Sequence, residues 1–184
     1  MVTIPSNMLP LGTQAPDFTL LDSVSQKRVS LGDIKSPSAT VVMFICNHCP
    51  YVKHVNQGMV ALARDYQPKG VAFVAISAND IVAHPDDSPD KMALTAKEQG
   101  YSFPYLYDET QEVAKAYQAA CTPDFYIFDG DLKCVYRGQL DDSRPRNGIP
   151  VTGKDMRAAL DAHLSGQSVD PDQKPSIGCN IKWR

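Results

Sequence analysis

The apolar positions of this chain switch between two periods. Residues 40–45 form a continuous apolar run with two adjacent valines, as expected of a strand covered on both faces. The run ends directly in Cys46-Asn47-His48-Cys49. The period then becomes helical: Val52, Val55, Met59, Leu62 and Tyr66 fall three and four apart, on one face. Pro50 sits near the start of this helix, where a missing N–H does little harm. Gly70 introduces 71–76, a second buried strand, so strand, helix and strand predict one parallel unit.

Ahead of this unit, 17–20 and 28–31 flank a polar turn and predict a hairpin. Beyond it lies a polar, proline-rich loop over 84–90. Ser88-Pro89 reads as cap and first turn of a helix reaching about Gln99. A short helix is expected over 109–118. A hairpin pairs 125–128 with 133–137 around Asp129-Gly130-Asp131, and an amphipathic helix spans 155–164. Residues 170–184, with Pro171 and Pro175, predict an extended tail whose Ile177, Ile181 and Trp183 dock on the body.

With 184 residues, 43% of them apolar, the chain can bury a sizeable core as one domain. Residues 15–165 are expected to form the body and 166–184 a tail packed on it. A net charge of −3 gives no electrostatic reason to expect nucleic acid or an anionic membrane as partner. Residues 1–5 lack the basic flank and apolar stretch of a signal peptide, and the longest apolar run is too short to cross a bilayer. A cytoplasmic protein is therefore expected. The five cysteines do not resemble a secreted disulfide framework, and in a reducing compartment C-x-x-C spacing points to catalysis or metal.

Two cysteines at this spacing close a small disulfide ring most readily where a strand turns into a helix. There the first sulfur faces unpaired N–H groups and the positive end of the helix dipole, which favour thiolate over thiol. Cys46 is thus expected to attack, and Cys49, one turn inward, to resolve the mixed disulfide. His48 can donate a hydrogen bond or positive charge to the thiolate. A stabilised thiolate makes the disulfide more oxidising, so a potential of roughly −120 to −230 mV is expected, less negative than thioredoxin's. The competing reading is zinc held by Cys46, Cys49, His48 and His54, but no second Cys or His pair follows at matching spacing.

With that motif placed at a strand end, the chain resembles the thioredoxin superfamily, and more narrowly the alkyl hydroperoxide reductase/thiol-specific antioxidant group. The shared stretches are Ala15-Pro16-Asp17-Phe18, Phe44-Ile45-Cys46, Thr122-Pro123-Asp124-Phe125 and Tyr136-Arg137-Gly138. It looks closest to a peroxiredoxin-like subgroup with C-N-H-C-P and a P-S-x-G-C-x-I-K-W tail, here residues 175–183. The resemblance implies a thioredoxin-like α/β fold, a central mixed sheet flanked by helices, with an N-terminal β-hairpin and a C-terminal extension. It implies that Pro123 is the cis-proline opposite the active pair. Thr122 would then offer backbone groups to an incoming extended peptide or thiol.

The chain also departs from these patterns. Ile45 stands where thioredoxins carry tryptophan before the first cysteine, and Thr40 where they bury an aspartate. The peroxiredoxin pattern P-x-x-x-T-x-x-C is missing ahead of Cys46, which leaves Arg137 as the candidate to orient a peroxide. Cys121 reads as a third redox thiol on the surface, a site of modification, or a small residue at a tight turn. Cys179 reads as a tail thiol that swings onto the pair to resolve it, or as a bystander held by Ile181 and Trp183. Cys134 reads as a packed strand thiol. His54, His84 and His163 read as surface histidines, and Tyr101, Phe103, Tyr105 and Tyr107 as core packing.

The expected activity is thiol–disulfide exchange on protein disulfides or low-molecular-weight thiols. The alternative is a peroxiredoxin-like antioxidant reductase of hydroperoxides, and further off a non-catalytic zinc or binding module. With no glycine-rich phosphate loop, no cofactor is expected beyond the redox-active disulfide, recharged by an external thiol reductant from an upstream reductase.

Overall fold

The computed structural model describes residues 2–184. The strands are β1 (Thr3–Pro5), β2 (Thr19–Asp22), β3 (Arg28–Ser30), β4 (Ala39–Phe44), β5 (Val71–Ser77), β6 (Tyr105–Tyr107), β7 (Cys121–Thr122), β8 (Asp124–Phe128), β9 (Cys134–Gly138) and β10 (Ile177–Asn180). The helices are α1 (Leu31–Ile34), α2 (Pro50–Tyr66), α3 (Pro89–Gln99), α4 (Glu112–Ala116) and α5 (Lys154–Leu164). Seven strands form one mixed sheet in the order β3-β2-β6-β5-β4-β8-β9. β4, β5 and β6 run parallel, and β8 is antiparallel to β4.

Side-chain alternation along β4 explains its unbroken apolar run. Val41 and Met43 point to one core, shared with Val52, Val55, Met59 and Leu62 of α2, Met92 of α3 and Leu160 of α5. Val42 and Phe44 point to the other, shared with Leu9, Phe18, Tyr117, Tyr126 and Ile181. Each such side chain contributes about 1.5–3 kcal/mol on burial. The sheet is thus closed on both faces, and its chemistry is left to strand ends and loops.

The expected hairpins form, with Leu20 opposite Val29 and Ile127 opposite Tyr136. The short helix is reduced to Glu112–Ala116, because the chain first turns through Gln111 at φ 66°. The body also begins earlier than Ala15: Leu9 is buried, and β1 pairs with the tail.

The tail closes a second sheet, β1-β10-β7, in which Cys179 lies opposite both Thr3 and Thr122. Backbone pairing on both edges and the buried Ile181 hold it. Ile177 and Trp183 do not dock as expected and stay 39% and 41% exposed. Trp183 instead lies beside Lys115, whose Nζ stands 5.7 Å from the ring centroid.

Candidate active site

The register of the central sheet builds the site. Phe44, the last residue of β4, faces Asp124, the first of β8. The residues that follow Phe44, through Cys46, therefore meet the residues that precede Asp124, Thr122 and Pro123. The Thr122–Pro123 peptide bond is cis, as the resemblance implied. Thr122 Oγ1 lies 3.5 Å from Cys46 Sγ, and Thr122 O accepts from Cys49 Sγ at 3.4 Å.

The helix begins at Pro50, so Cys49 is its N-cap. The Cys49 thiol drops from an ordinary 9.0 to about 5. Hydrogen bonding from Cys46 is the largest cause, joined by Cys179 and the Val52 N–H, against a burial that opposes it. Cys46 moves the other way, raised by its bond to Cys49, by burial and by the negative charge of Asp87. Cys49 sits at the N-terminus of α2, whereas Cys46 lies in the loop three residues before it.

The His48 ring is paired with Asp87. Nδ1 donates to Asp87 Oδ2 at 2.5 Å. Asp87 is fully buried and also accepts from the Asn47 N–H at 2.8 Å, the His48 N–H at 3.3 Å and Asn79 Nδ2 at 2.8 Å. Four donors satisfy a carboxylate that would otherwise be costly to bury. On the other side His84 stacks on His48 with centroids 5.4 Å apart and planes 4° from parallel, so it is not a free surface histidine. Tyr105 belongs to the expected aromatic packing but also works in the loop, donating from its hydroxyl to Asn47 Oδ1 at 2.9 Å.

Cys46 Sγ, an imidazole nitrogen of His48 and a carboxylate oxygen of Asp87 lie within 4.8 Å of one another. This group differs from the ligand set of the competing zinc reading, Cys46, Cys49, His48 and His54. His54 is turned away to Ser143 Oγ at 2.7 Å, and Asp87 takes a place no spacing rule suggested.

Of the other cysteines, Cys179 joins the pair. Its Sγ lies 2.7 Å from Cys49 Sγ, and burial with the neighbouring Cys49 pushes its thiol up to about 12. Cys121 is not on the surface: it is fully buried, its thiol is raised by burial, and it contacts Pro123 O at 3.8 Å. Cys134 is a packed strand thiol, raised to about 11 by burial. Arg137 is not brought to the cysteines. It pairs with Tyr126, on the sheet face opposite α2, and donates to Leu9 O at 2.7 Å and Gln173 Oε1 at 2.8 Å. His163 is half-buried and bonded to Ser38 O.

Two carboxyls near the site escaped sequence reasoning. Asp87 stood in the loop noted only as polar and proline-rich. Asp124 stood within a recognised motif, but nothing marked it as buried. It accepts from Ser6 Oγ at 2.9 Å and Tyr126 OH at 3.1 Å, and burial raises its carboxyl to about 7. The site itself is nearly closed: Cys46 is 2% exposed, Cys49 0% and Cys179 1%. A groove of about 580 Å³ opens beside it, lined by Asn47, His48, Lys53, Asn56 and Lys91 among others.

Residues 11–137 match the model of the AhpC/TSA family. No curated protein matches the chain. An uncharacterised conserved protein from Geobacillus kaustophilus is 67% identical and superposes with a TM-score of 0.99, covering 100% of this chain and 97% of its own. A hypothetical protein from Sinorhizobium meliloti 1021 is 48% identical, with a TM-score of 0.95 and 98% of each chain covered. The thioredoxin domain of a thiol-disulfide oxidoreductase from Bacteroides vulgatus is 20% identical, with a TM-score of 0.62 over 73% of this chain and 92% of that one. That last likeness makes the fold thioredoxin-like.

Proposed function

The chain belongs to the AhpC/TSA family, a group of thioredoxin-like oxidoreductases, and within it we propose a thiol–disulfide oxidoreductase that works through Cys46 and Cys49. The observation that carries this reading is the Cys49 sulfur at the N-cap of α2, where the Val52 N–H lowers its thiol, with both Cys46 and Cys49 in contact with Thr122 beside the cis-proline. A thiolate at neutral pH is the attacking species in disulfide exchange, and a second thiol in contact releases the partner.

In this reading Cys49 attacks a disulfide R–S–S–R. The Cys49–S–S–R bond forms and one thiolate leaves. Cys46 then attacks Cys49 Sγ, closes the internal disulfide and releases the second thiolate. Cys46 must lose a proton to do so, and the His48–Asp87 pair beside it is suited to take that proton. The groove beside the pair carries Lys53 and Lys91 against Asp86 and Glu98, so its charges balance, and the substrates are protein disulfides or low-molecular-weight thiols and their disulfides. An external thiol reductant returns the pair to the dithiol state.

Mixing the reduced protein with a chromogenic small-molecule disulfide tests the assignment. A fast release of one thiol equivalent should survive Cys46→Ser and vanish in Cys49→Ser. Dependence on Cys46 instead would reverse the two roles. A fast phase insensitive to both variants would overturn the reading. Hydroperoxide consumption outrunning disulfide exchange would favour the peroxidase alternative.

A further inference from the structure

The seat that the family resemblance assigned to an incoming extended peptide is already filled. β10 pairs antiparallel with β7, placing Cys179 opposite Thr122 and Asn180 opposite Cys121. It lies so close that a Cβ on Gly178 would meet Thr122 O at 1.9 Å. The strand is fixed on both sides of Cys179. Before it, Ser176 Oγ donates to Pro123 O and Ser6 N–H to Ser176 O. After it, Ile181 N–H donates to Ala120 O at 3.0 Å and Lys182 N–H to Asn79 Oδ1 at 2.8 Å. Cys179 is therefore held in place, and the swinging motion expected of a tail thiol is not needed.

What this strand presents to the active pair is a sulfur. Cys179 Sγ stands 2.7 Å from Cys49 Sγ, across 130 residues of chain. The two are free thiols in direct contact. We propose that Cys179 is the third redox thiol of the centre: the tail strand occupies the substrate seat at Thr122 and offers its sulfur to Cys49 in competition with Cys46. The proposal rests on the exchange reading above and adds a partner for the same sulfur.

The steps balance without any further reactant. From the Cys46–Cys49 disulfide, the Cys179 thiolate attacks Cys49 Sγ. The Cys49–Cys179 bond forms as the Cys46–Cys49 bond breaks, and Cys46 leaves as thiolate and takes up the proton Cys179 gave. No net oxidation occurs. From a mixed disulfide Cys49–S–S–R, the same attack releases R–S⁻, and the tail becomes covalently latched over the active helix. A substrate that binds by strand addition must first displace β10. A small thiol entering beside His48 need not.

The test uses the full-length Cys46→Ala variant, reduced and then mixed with the chromogenic disulfide, with thiol release counted and disulfide-linked peptides mapped by mass. Two equivalents released per chain and a Cys49–Cys179 link are expected. The Cys46→Ala/Cys179→Ser variant should stop at one equivalent, with the mixed disulfide retained on Cys49. If Cys46→Ala also stops at one equivalent with the adduct on Cys49, this inference is overturned while the exchange reading stands. If Cys46→Ala releases no equivalent in the fast phase while its circular dichroism matches the parent's, both fall. Should Cys46→Ala not fold, the parent protein serves: under mild oxidation it should yield a minor Cys49–Cys179 link that disappears in Cys179→Ser, and its absence overturns the inference.

Discussion

His48 Nδ1 donates to Asp87 Oδ2 across 2.5 Å, joining the C-x-x-C turn to a loop 39 residues further along the chain. The bond fixes the ring, and the buried carboxylate places its charge beside Cys46, the thiol that must be deprotonated to resolve a mixed disulfide. Asp87→Asn removes that charge. The Cys46 thiol should become more acidic, yet resolution should slow by roughly 10- to 100-fold through loss of the oriented base. Single-turnover decay of the mixed disulfide, followed against pH, checks both effects. A variant resolving at the parent rate throughout would remove the pair from the mechanism.

The Cys46 thiol is expected to lower that of Cys49. Thiolate absorbance followed against pH should show a first ionisation near 5 in the reduced protein, against about 8.5 for a free cysteine. Cys46→Ala should raise it by one unit or more, and Cys46→Ser, which keeps a donor, by less. Equal shifts in the two variants would mean that hydrogen bonding is not the cause.

Gly178 sets how closely the tail approaches the active site. Gly178→Ala drives a Cβ into Thr122 O and must push the tail strand off β7. A stability loss of about 1–3 kcal/mol is expected from such overpacking. Cys49 should also react faster with an alkylating agent, because Cys179 no longer covers it. Denaturant unfolding and alkylation rates measure the two consequences separately.

Asp124 gives the protein a pH dependence of known sign. Burial raises its carboxyl from 3.8 to about 7, so between those values the folded state holds a proton that the unfolded state has lost. Its stabilising contribution is full below about pH 4, falls as pH rises towards about 7, and is flat above. The whole change is at most roughly 4 kcal/mol. Asp124→Asn should flatten this slope in urea titrations between pH 4 and 7. A parent protein whose stability rises through that window would contradict the assignment.

What sequence made legible, and what it left hidden, divides along physical lines. The run ahead of Cys46, the helical face from Val52 to Tyr66 and the Asp129-Gly130 hairpin are local patterns, and local patterns report backbone form directly. The position of Pro123 was also readable, because it sits at a strand start in a recognised motif. So was the start of the helix, because Pro50 fits the first helical position and α2 begins there. Asp87 was hidden because it reaches His48 from 39 residues away and only tertiary packing brings it there, whereas Cys179, 130 residues from Cys49, could be named from sequence but not placed.

The most direct test of the account is a redox titration of the full-length protein in glutathione buffers, with linked peptides identified at each point. Two thiols should be lost together, chiefly as a Cys46–Cys49 disulfide. The midpoint should lie between about −120 and −230 mV, above the roughly −270 mV of thioredoxin, because a stabilised Cys49 thiolate favours the reduced form. A protein that forms no disulfide between these two cysteines, or one that forms it only at thioredoxin's potential or below, would contradict the account.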